Sequence, residues 1–451
     1  NIIHDKNNII DQIWLDRPVE IKKKFFSLDK IVAGQDIYDK QRELFKINNS
    51  DIIIINSPES VCWLLNIRGF DLPHTPIVFS RIIISKSGMK LFVDREKIPD
   101  KKFKIVGLKI FKLDDFEKQI SKLPKNKKIF LDSMSSFYFY DFLLKQEITP
   151  IIGIDPCKFL KSQKNHSEIK WAKKSHLYDG VSLVKFFCWL ENLDYNQKIT
   201  ELDASKKLEN YKNEVKSFFS LSFPTISAVG PSGAIIHYNP KIKSRKLEKN
   251  KMYLCDSGSQ YYGGTTDITR TIFLGKSKPK KEFISNYTKI LLGHIDISMM
   301  KFPEGTKGYQ IDSIARYYLW QDGMDYNHGT GHGVGSFLGV HEGPQSVSKK
   351  FNNFNLKEGM IISNEPGFYK KKEYGIRIEN LVLVRSSKKK GFLEFETLTL
   401  FPYERSLIDK DLLSKNQKDW INSYHERVSA SLSDYLSKDL RNWLKKKTKK
   451  I

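Results

Sequence analysis

The chain has 451 residues, 40% of them hydrophobic, and sets 76 Lys and Arg against 52 Asp and Glu for a formal net charge of +24. This length accommodates two or three domains with substantial cores, and the lack of any run of eighteen or more apolar residues argues against a transmembrane span. The charge would suit a polyanion, but the lysines are dispersed among abundant Ile and Asn, a compositional bias rather than a patch, so neither nucleic acid nor membrane is an expected partner.

Residues up to about Asp155 alternate strand-like runs (Asp51 to Ile55, Arg81 to Ser85, Met89 to Asp94, Lys128 to Asp132) with helical stretches such as Ile37 to Ile47, the pattern of an α/β domain. A polar segment, Lys161 to Asn165, then leads into a long helical pattern from His166 to about Leu193. Thr200-Glu-Leu-Asp203 reads as a capping box for the next helix. The four cysteines, Cys62, Cys157, Cys188 and Cys255, form no Cys-x-x-Cys pair, and the N-terminus has no signal-peptide pattern. Both fit a reducing cytoplasm.

Asp256 and Asp267 lie in two strand-like runs joined by Gln260-Tyr-Tyr-Gly-Gly264, a connection with turn chemistry. A hairpin folded about Tyr261 and Tyr262 would set the two carboxylates opposite each other, with Cβ atoms ~5 Å apart. So close a pair repels unless a cation lies between its members. Further on, Asn327-His-Gly-Thr-Gly-His-Gly-Val-Gly335 supplies His332 among glycines that let the backbone approach closely. No Gly-Lys-Ser/Thr follows, so this is not a phosphate cradle.

A second pair repeats the arrangement: Glu365 in Ile361 to Pro366 and Glu379 in Tyr374 to Asn380, with a turn near Lys370-Lys-Lys-Glu373. Any one of these acids alone would read as a solvated strand residue. As a set, in apolar or Gly-rich strands, they point to a two-metal hydrolytic centre, the metal itself left open among manganese, cobalt, iron and zinc. Near the end, Trp420, Tyr424, Val428, Leu432, Leu436 and Leu440 recur every four residues, the stripe of an amphipathic helix that packs on the catalytic part or on a second copy.

The segments Gly233-Ala-Ile-Ile-His-Tyr238, Asp256-Ser-Gly-Ser-Gln-Tyr261, Gly264-Thr-Thr-Asp-Ile-Thr-Arg270, His328 to Gly343, Asn364-Glu-Pro-Gly367 and Gly375-Ile-Arg-Ile-Glu-Asn380 resemble the aminopeptidase P (Xaa-Pro aminopeptidase) family of pita-bread metallopeptidases. Cys62-Trp-Leu-Leu-Asn-Ile-Arg-Gly69 and the region from Leu398 to Lys445 resemble that family's long, three-domain form. The resemblance implies a creatinase-type α/β domain over residues 1–160, a pita-bread catalytic domain with a curved antiparallel sheet over 161–400, and a C-terminal helical extension over 401–451. The first domain of the long form is expected to be absent.

The same resemblance implies that Asp256, Asp267 and Glu379 hold one divalent ion, and that Asp267, His332, Glu365 and Glu379 hold the other. Manganese(II) is the expected ion, with zinc or cobalt as substitutes. Water activated by the pair would attack the scissile carbonyl, with Glu365 taking and returning its proton. His341 would donate to the developing oxyanion. His237 and His328 would line the proline side and help move a proton to the leaving nitrogen, Arg377 would orient Glu379 or bind a substrate carbonyl or carboxylate, and Tyr369 would close the pocket. The implied substrate is a peptide with proline second, whose bond lacks an N–H and needs a dedicated pocket. Prolidase and a non-catalytic binding protein of the same fold are the alternatives. A cytoplasmic homodimer is the implied state.

Overall fold

Ile52–Ile55 (β1) is an unbroken apolar run buried along its whole length, the pattern of a strand covered on both faces. The computed structural model describes residues 9–99, 103 and 105–451, and in it β1 lies inside a six-stranded sheet. The other strands are Ser80–Ser85 (β2), Gly88–Val93 (β3), Leu108–Phe111 (β4), Ile129–Asp132 (β5) and Ile151–Gly153 (β6), in the order β4-β3-β2-β1-β5-β6. Pairing is mixed: β1 runs antiparallel to β2 and parallel to β5. Helices Ile37–Ile47 (α1), Pro58–Leu64 (α2), Phe116–Ile120 (α3) and Phe137–Lys145 (α4) accompany this sheet, and Pro156–Ser162 (α5) leads out of it. This is the α/β domain expected for the first part of the chain.

Two capping boxes open the next part. Asn165 and Glu168 cap His166–Glu191 (α6), and Thr200 with Asp203 caps Glu201–Asn213 (α7), each pair satisfying two free backbone N–H groups. Strands Phe218–Leu221 (β7), Ile226–Val229 (β8), Met252–Tyr261 (β9) and Gly264–Phe273 (β10) then form an antiparallel sheet in which β9 pairs with all three others. After Lys281–Met299 (α8), Lys301–Pro303 (β11) and Gly308–Trp320 (α9) come Gly331–Gly333 (β12), Glu342–Val347 (β13), Ile361–Asn364 (β14), Gly367–Lys370 (β15), Tyr374–Arg377 (β16), Asn380–Ser386 (β17) and Phe392–Thr397 (β18). Six of these strands make a sheet of order β11-β18-β17-β14-β12-β13, while β15 and β16 form a separate hairpin.

The hairpin register corrects one expectation. The turn is Tyr262-Gly263, not Tyr261-Tyr262, because Gly263 takes a left-handed φ of 97° and both strands run up to it. Asp256 therefore stands opposite Thr269, and Asp267 opposite Gly258. The two aspartates are diagonal neighbours on one face instead of direct partners.

The C-terminal stripe is also divided. It forms two helices, Lys415–Ser433 (α10) and Lys438–Lys447 (α11), the second started by Ser437, whose side chain accepts from the Leu440 N–H. Ile421, Tyr424, Val428, Leu432, Leu436 and Leu444 are buried in the same cluster as residues of α6, α8 and β9, so the stripe is used in packing on the catalytic part. Arg270 of β10 strengthens that join. Fully buried, it donates to the carbonyls of Glu379, Phe401 and Pro402 and to Asn380 Oδ1. Among the described residues no helix is long and apolar enough to cross a membrane.

Candidate metal centre

Three backbone devices bring the five spaced residues to one place. The β9-β10 hairpin presents Asp256 and Asp267 from one face, two register steps apart. Glu365 and Glu379 occupy the gap between two ladders of common register, one ending at Asn364 opposite Asn380 and the other beginning at Gly367 opposite Arg377. In that gap the backbone bonds outward: Glu379 N donates to Thr269 O at 3.0 Å and Glu365 N to Thr330 O at 2.8 Å. His332 comes from β12, which lies so close to β14 that a Cβ on Gly331 would sit 2.0 Å from Ser363 O.

His332 Nε2 lies 3.3 Å from Glu365 Oε1 and 3.6 Å from Asp267 Oδ2. Its Nδ1 faces Gly333 O at 2.9 Å, which places the proton there and turns the Nε2 lone pair toward the carboxylates. Possible ligand atoms of Asp256, Asp267 and Glu379 lie within 4.8 Å of one another, as do those of His332, Glu365 and Glu379. Burial, followed by the charge of Asp256, lifts the Asp267 carboxyl well above the usual range; burial and then Asp267 do the same to Glu379. Burial also raises Glu365, against the pull of His332 and Arg377.

Asp256 Oδ1, Asp267 Oδ1 and Glu379 Oε1 are buried and have no hydrogen-bond partner among the described residues. Such orphaned acceptors, crowded together with an imidazole lone pair, fit divalent cations and little else. Three further carboxylate oxygens are held by hydrogen bonds. Asp256 Oδ2 accepts from Arg377 Nη2 at 2.6 Å, Glu379 Oε2 from Thr269 Oγ1 at 2.8 Å, and Glu365 Oε1 from Ser363 Oγ at 2.9 Å. The Arg377 guanidinium grips Asp256 directly and reaches Glu379 through Thr269, whose Oγ1 accepts from Arg377 Nε at 3.2 Å. Thr269 and Ser363 escaped the sequence reading, although each lies two residues from a predicted ligand, the strand period that puts neighbours on one face.

A cavity of about 460 Å³ opens over these residues, walled by Phe223, Ile226, Ile236, His237, His328 and His341. The His341 ring packs edge-on against His332, centroids 4.3 Å apart. Desolvation and the neighbouring His332 hold its pKa down to about 4, although the residue reaches solvent. Burial holds His328 to about 4 as well. Its Nδ1 faces Gly329 O and its Nε2 the Tyr369 hydroxyl, which in turn accepts from Arg377 Nη1. Tyr369 thus stands behind His328 and Arg377. Arg377 is the only Lys or Arg among the described lining residues.

A model of metallopeptidase family M24 matches residues 171–386, one of the creatinase/prolidase N-terminal domain matches 16–168, and one of the C-terminal region of peptidase M24 matches 391–451. The chain is 38% identical to a probable Xaa-Pro aminopeptidase P of Coprinopsis cinerea, over 100% of this chain and 77% of that protein. It is 36% identical to Xaa-Pro aminopeptidase 1 of Dictyostelium discoideum, over 99% and 75%. In structure it is similar to an X-prolyl aminopeptidase from Caenorhabditis elegans, described as a cytosolic enzyme with a di-nuclear active site. The TM-score is 0.93 at 34% identity, covering 99% of this chain and 76% of the other.

Proposed function

This chain belongs to metallopeptidase family M24 and is an Xaa-Pro aminopeptidase, and we propose that Asp256, Asp267, His332, Glu365 and Glu379 hold two divalent ions in it. The observation that carries this reading is the trio of unpartnered buried carboxylate oxygens facing one another beside the His332 lone pair. In this reading Asp267 and Glu379 serve both ions. When bound, the ions make a water nucleophilic near neutral pH and polarise the scissile carbonyl.

The chain's own groups do the rest. Glu365, whose carboxyl is raised by burial, takes a proton from the attacking water and returns it. His341, neutral at pH 7, donates an N–H to the carbonyl oxygen as charge develops there. His237, exposed at the cavity wall, passes a proton to the leaving proline nitrogen. His328 has both ring nitrogens occupied, so its part is to wall the proline ring rather than to move protons. Asp256, fixed by Arg377, receives the substrate's α-amino group. Because Arg377 is already committed to Asp256 and Tyr369, a dipeptide's C-terminal carboxylate meets no free cation among the described lining residues, which favours longer Xaa-Pro peptides over the prolidase substrate.

We assign manganese(II) as the native ion, a homodimer as the assembly, the cytoplasm as the location and residues 160/161 and 400/401 as the domain boundaries. Native mass spectrometry of the isolated enzyme checks the metal, and light scattering the dimer. The activity is tested with metal-stripped protein reloaded with manganese(II) and given an Xaa-Pro-Xaa tripeptide, an Xaa-Pro dipeptide and a Met-Ala-initiated peptide. Release of the first residue from the tripeptide alone is the expected result. Preference for the dipeptide would reassign it as a prolidase, and inertness with metal bound would point to a need for a further domain or to a non-catalytic role.

A further inference from the structure

His341 carries a defined role in the proposed reaction, yet no hydrogen bond holds its ring among the described residues. Its place is set by the backbone of the loop 335–341, which joins β12 to β13. That loop contains Phe337 in the left-handed region, at φ 52°, although Phe337 is bulky and fully buried. A non-glycine residue stays there only when its surroundings hold it.

The β9–β10 hairpin holds its middle, Gln260 Nε2 donating to Leu338 O at 2.6 Å and Thr265 Oγ1 accepting from Leu338 N at 3.3 Å, and further clamps come from outside that sheet. Arg68, itself buried, donates from Nε to Phe337 O at 2.5 Å and from Nη2 to Ser336 O at 2.9 Å. Its Nη1 is tied to the carbonyls of Cys62 and Ile67, so the guanidinium is anchored to its own domain. At the other end of the loop, Lys161 of α5 forms a hydrogen-bonded ion pair with Glu342, the residue after His341, with side chains 5% and 6% exposed. The second oxygen of Glu342 accepts from Gly339 N at 3.2 Å, closing the loop on itself. Both ends of the segment that carries His341 are therefore clamped by cations from outside the metal-binding sheets.

We propose that Arg68 and Lys161 are positioning residues for the peptidase reaction, fixing His341 at the scissile carbonyl through the Phe337 carbonyl and the Glu342 carboxylate. The inference rests on the oxyanion role given to His341 above. A group placed about 1 Å from its productive position costs up to ~10²-fold in rate. Arg68→Met and Lys161→Met are thus expected to lower kcat ~10- to 100-fold, with KM and the content of two ions unchanged within threefold.

The test is a double-mutant cycle with His341→Ala, read as kcat per metal-loaded site. In the His341→Ala background, Arg68→Met or Lys161→Met should cause no further fall. A further fall as large as in the wild-type background, or single variants with wild-type kcat and only a lowered Tm, overturns the proposal. Wild-type turnover by His341→Ala alone is a different result, which removes the oxyanion role itself. Should a methionine variant fail to fold, Arg68→Lys and Lys161→Arg keep the charge, change the reach and are read in the same cycle.

Discussion

Thr269→Val removes a hydroxyl at nearly constant volume and so isolates what that hydroxyl does for the metal centre. Thr269 is fully buried; its Oγ1 donates to Glu379 Oε2 at 2.8 Å and accepts from Arg377 Nε at 3.2 Å. With Oε2 engaged, Oε1 of Glu379 is the oxygen left to face the ions. A hydrogen bond to a charged group contributes ~1.5–3 kcal/mol, and loss of a partner that orients a ligand lowers metal affinity ~10- to 100-fold, or ~1.4–2.7 kcal/mol. The two ranges agree. The valine variant should therefore fold, bind manganese(II) one to two orders of magnitude more weakly in competition with a chelating dye, and recover most of its kcat at saturating metal. A dissociation constant within threefold of wild type would refute the view that Thr269 aims Glu379 at the ions.

His341→Ala should leave the fold and metal content intact while lowering kcat ~10²- to 10³-fold on an Xaa-Pro-Xaa tripeptide, the effect of losing one oxyanion donor; unchanged turnover removes it from the reaction. Gly331→Ala puts a Cβ 2.0 Å from Ser363 O and must push β12 off β14, so native mass spectrometry should find His332's ion depleted and calorimetry a lowered Tm; two tightly held ions would count against this geometry. His294 and His425, fully buried and held near pKa 3 by burial, add stability above the ordinary imidazole pKa of 6.5 that is lost as pH falls toward 3. Between pH 7 and 5 each contributes ~2 kcal/mol of that loss, so His294→Gln and His425→Gln should each flatten the fall in urea-unfolding free energy by about that amount. An unchanged slope would mean that neither imidazole is neutral in the fold.

The convergence of the four acids was legible because each interrupts an apolar or Gly-rich strand, where a charge needs a partner. The Glu365 and Glu379 register followed from a turn placed within a residue or two, since Lys372 supplies the left-handed φ at the tip. For Asp256 and Asp267, two tyrosines and two glycines offered several turns, and a turn centre shifted by one residue moves the pairing by two. Thr269 and Ser363 lay within reach of strand alternation but look like any hydroxyl in a strand. Arg68 and Lys161 carried no local signal, since their partners lie 269 and 181 residues away in the chain. The C-terminal stripe gave the buried face correctly and hid the break, because Ser437 starts a second helix in phase with the first.

The two ligand-bearing hairpins share one apolar cluster, Tyr253, Cys255 and Ile268 with Tyr374, Ile376 and Ile378, and the bonds between them that reach the ligands, Glu379 N to Thr269 O and Thr269 Oγ1 to Glu379 Oε2, span 110 residues of sequence. Before they dock, each offers a cation no more than a pair of repelling acids, too little to compete with water for the ion. Ion capture is therefore a checkpoint that only a chain assembled across both halves can pass, and it stabilises only that state. Newly synthesised copies in a cell short of divalent metal would lack the stability that bound ions add to the docked state. Metal supply then sets how much enzyme survives as well as how fast each copy works.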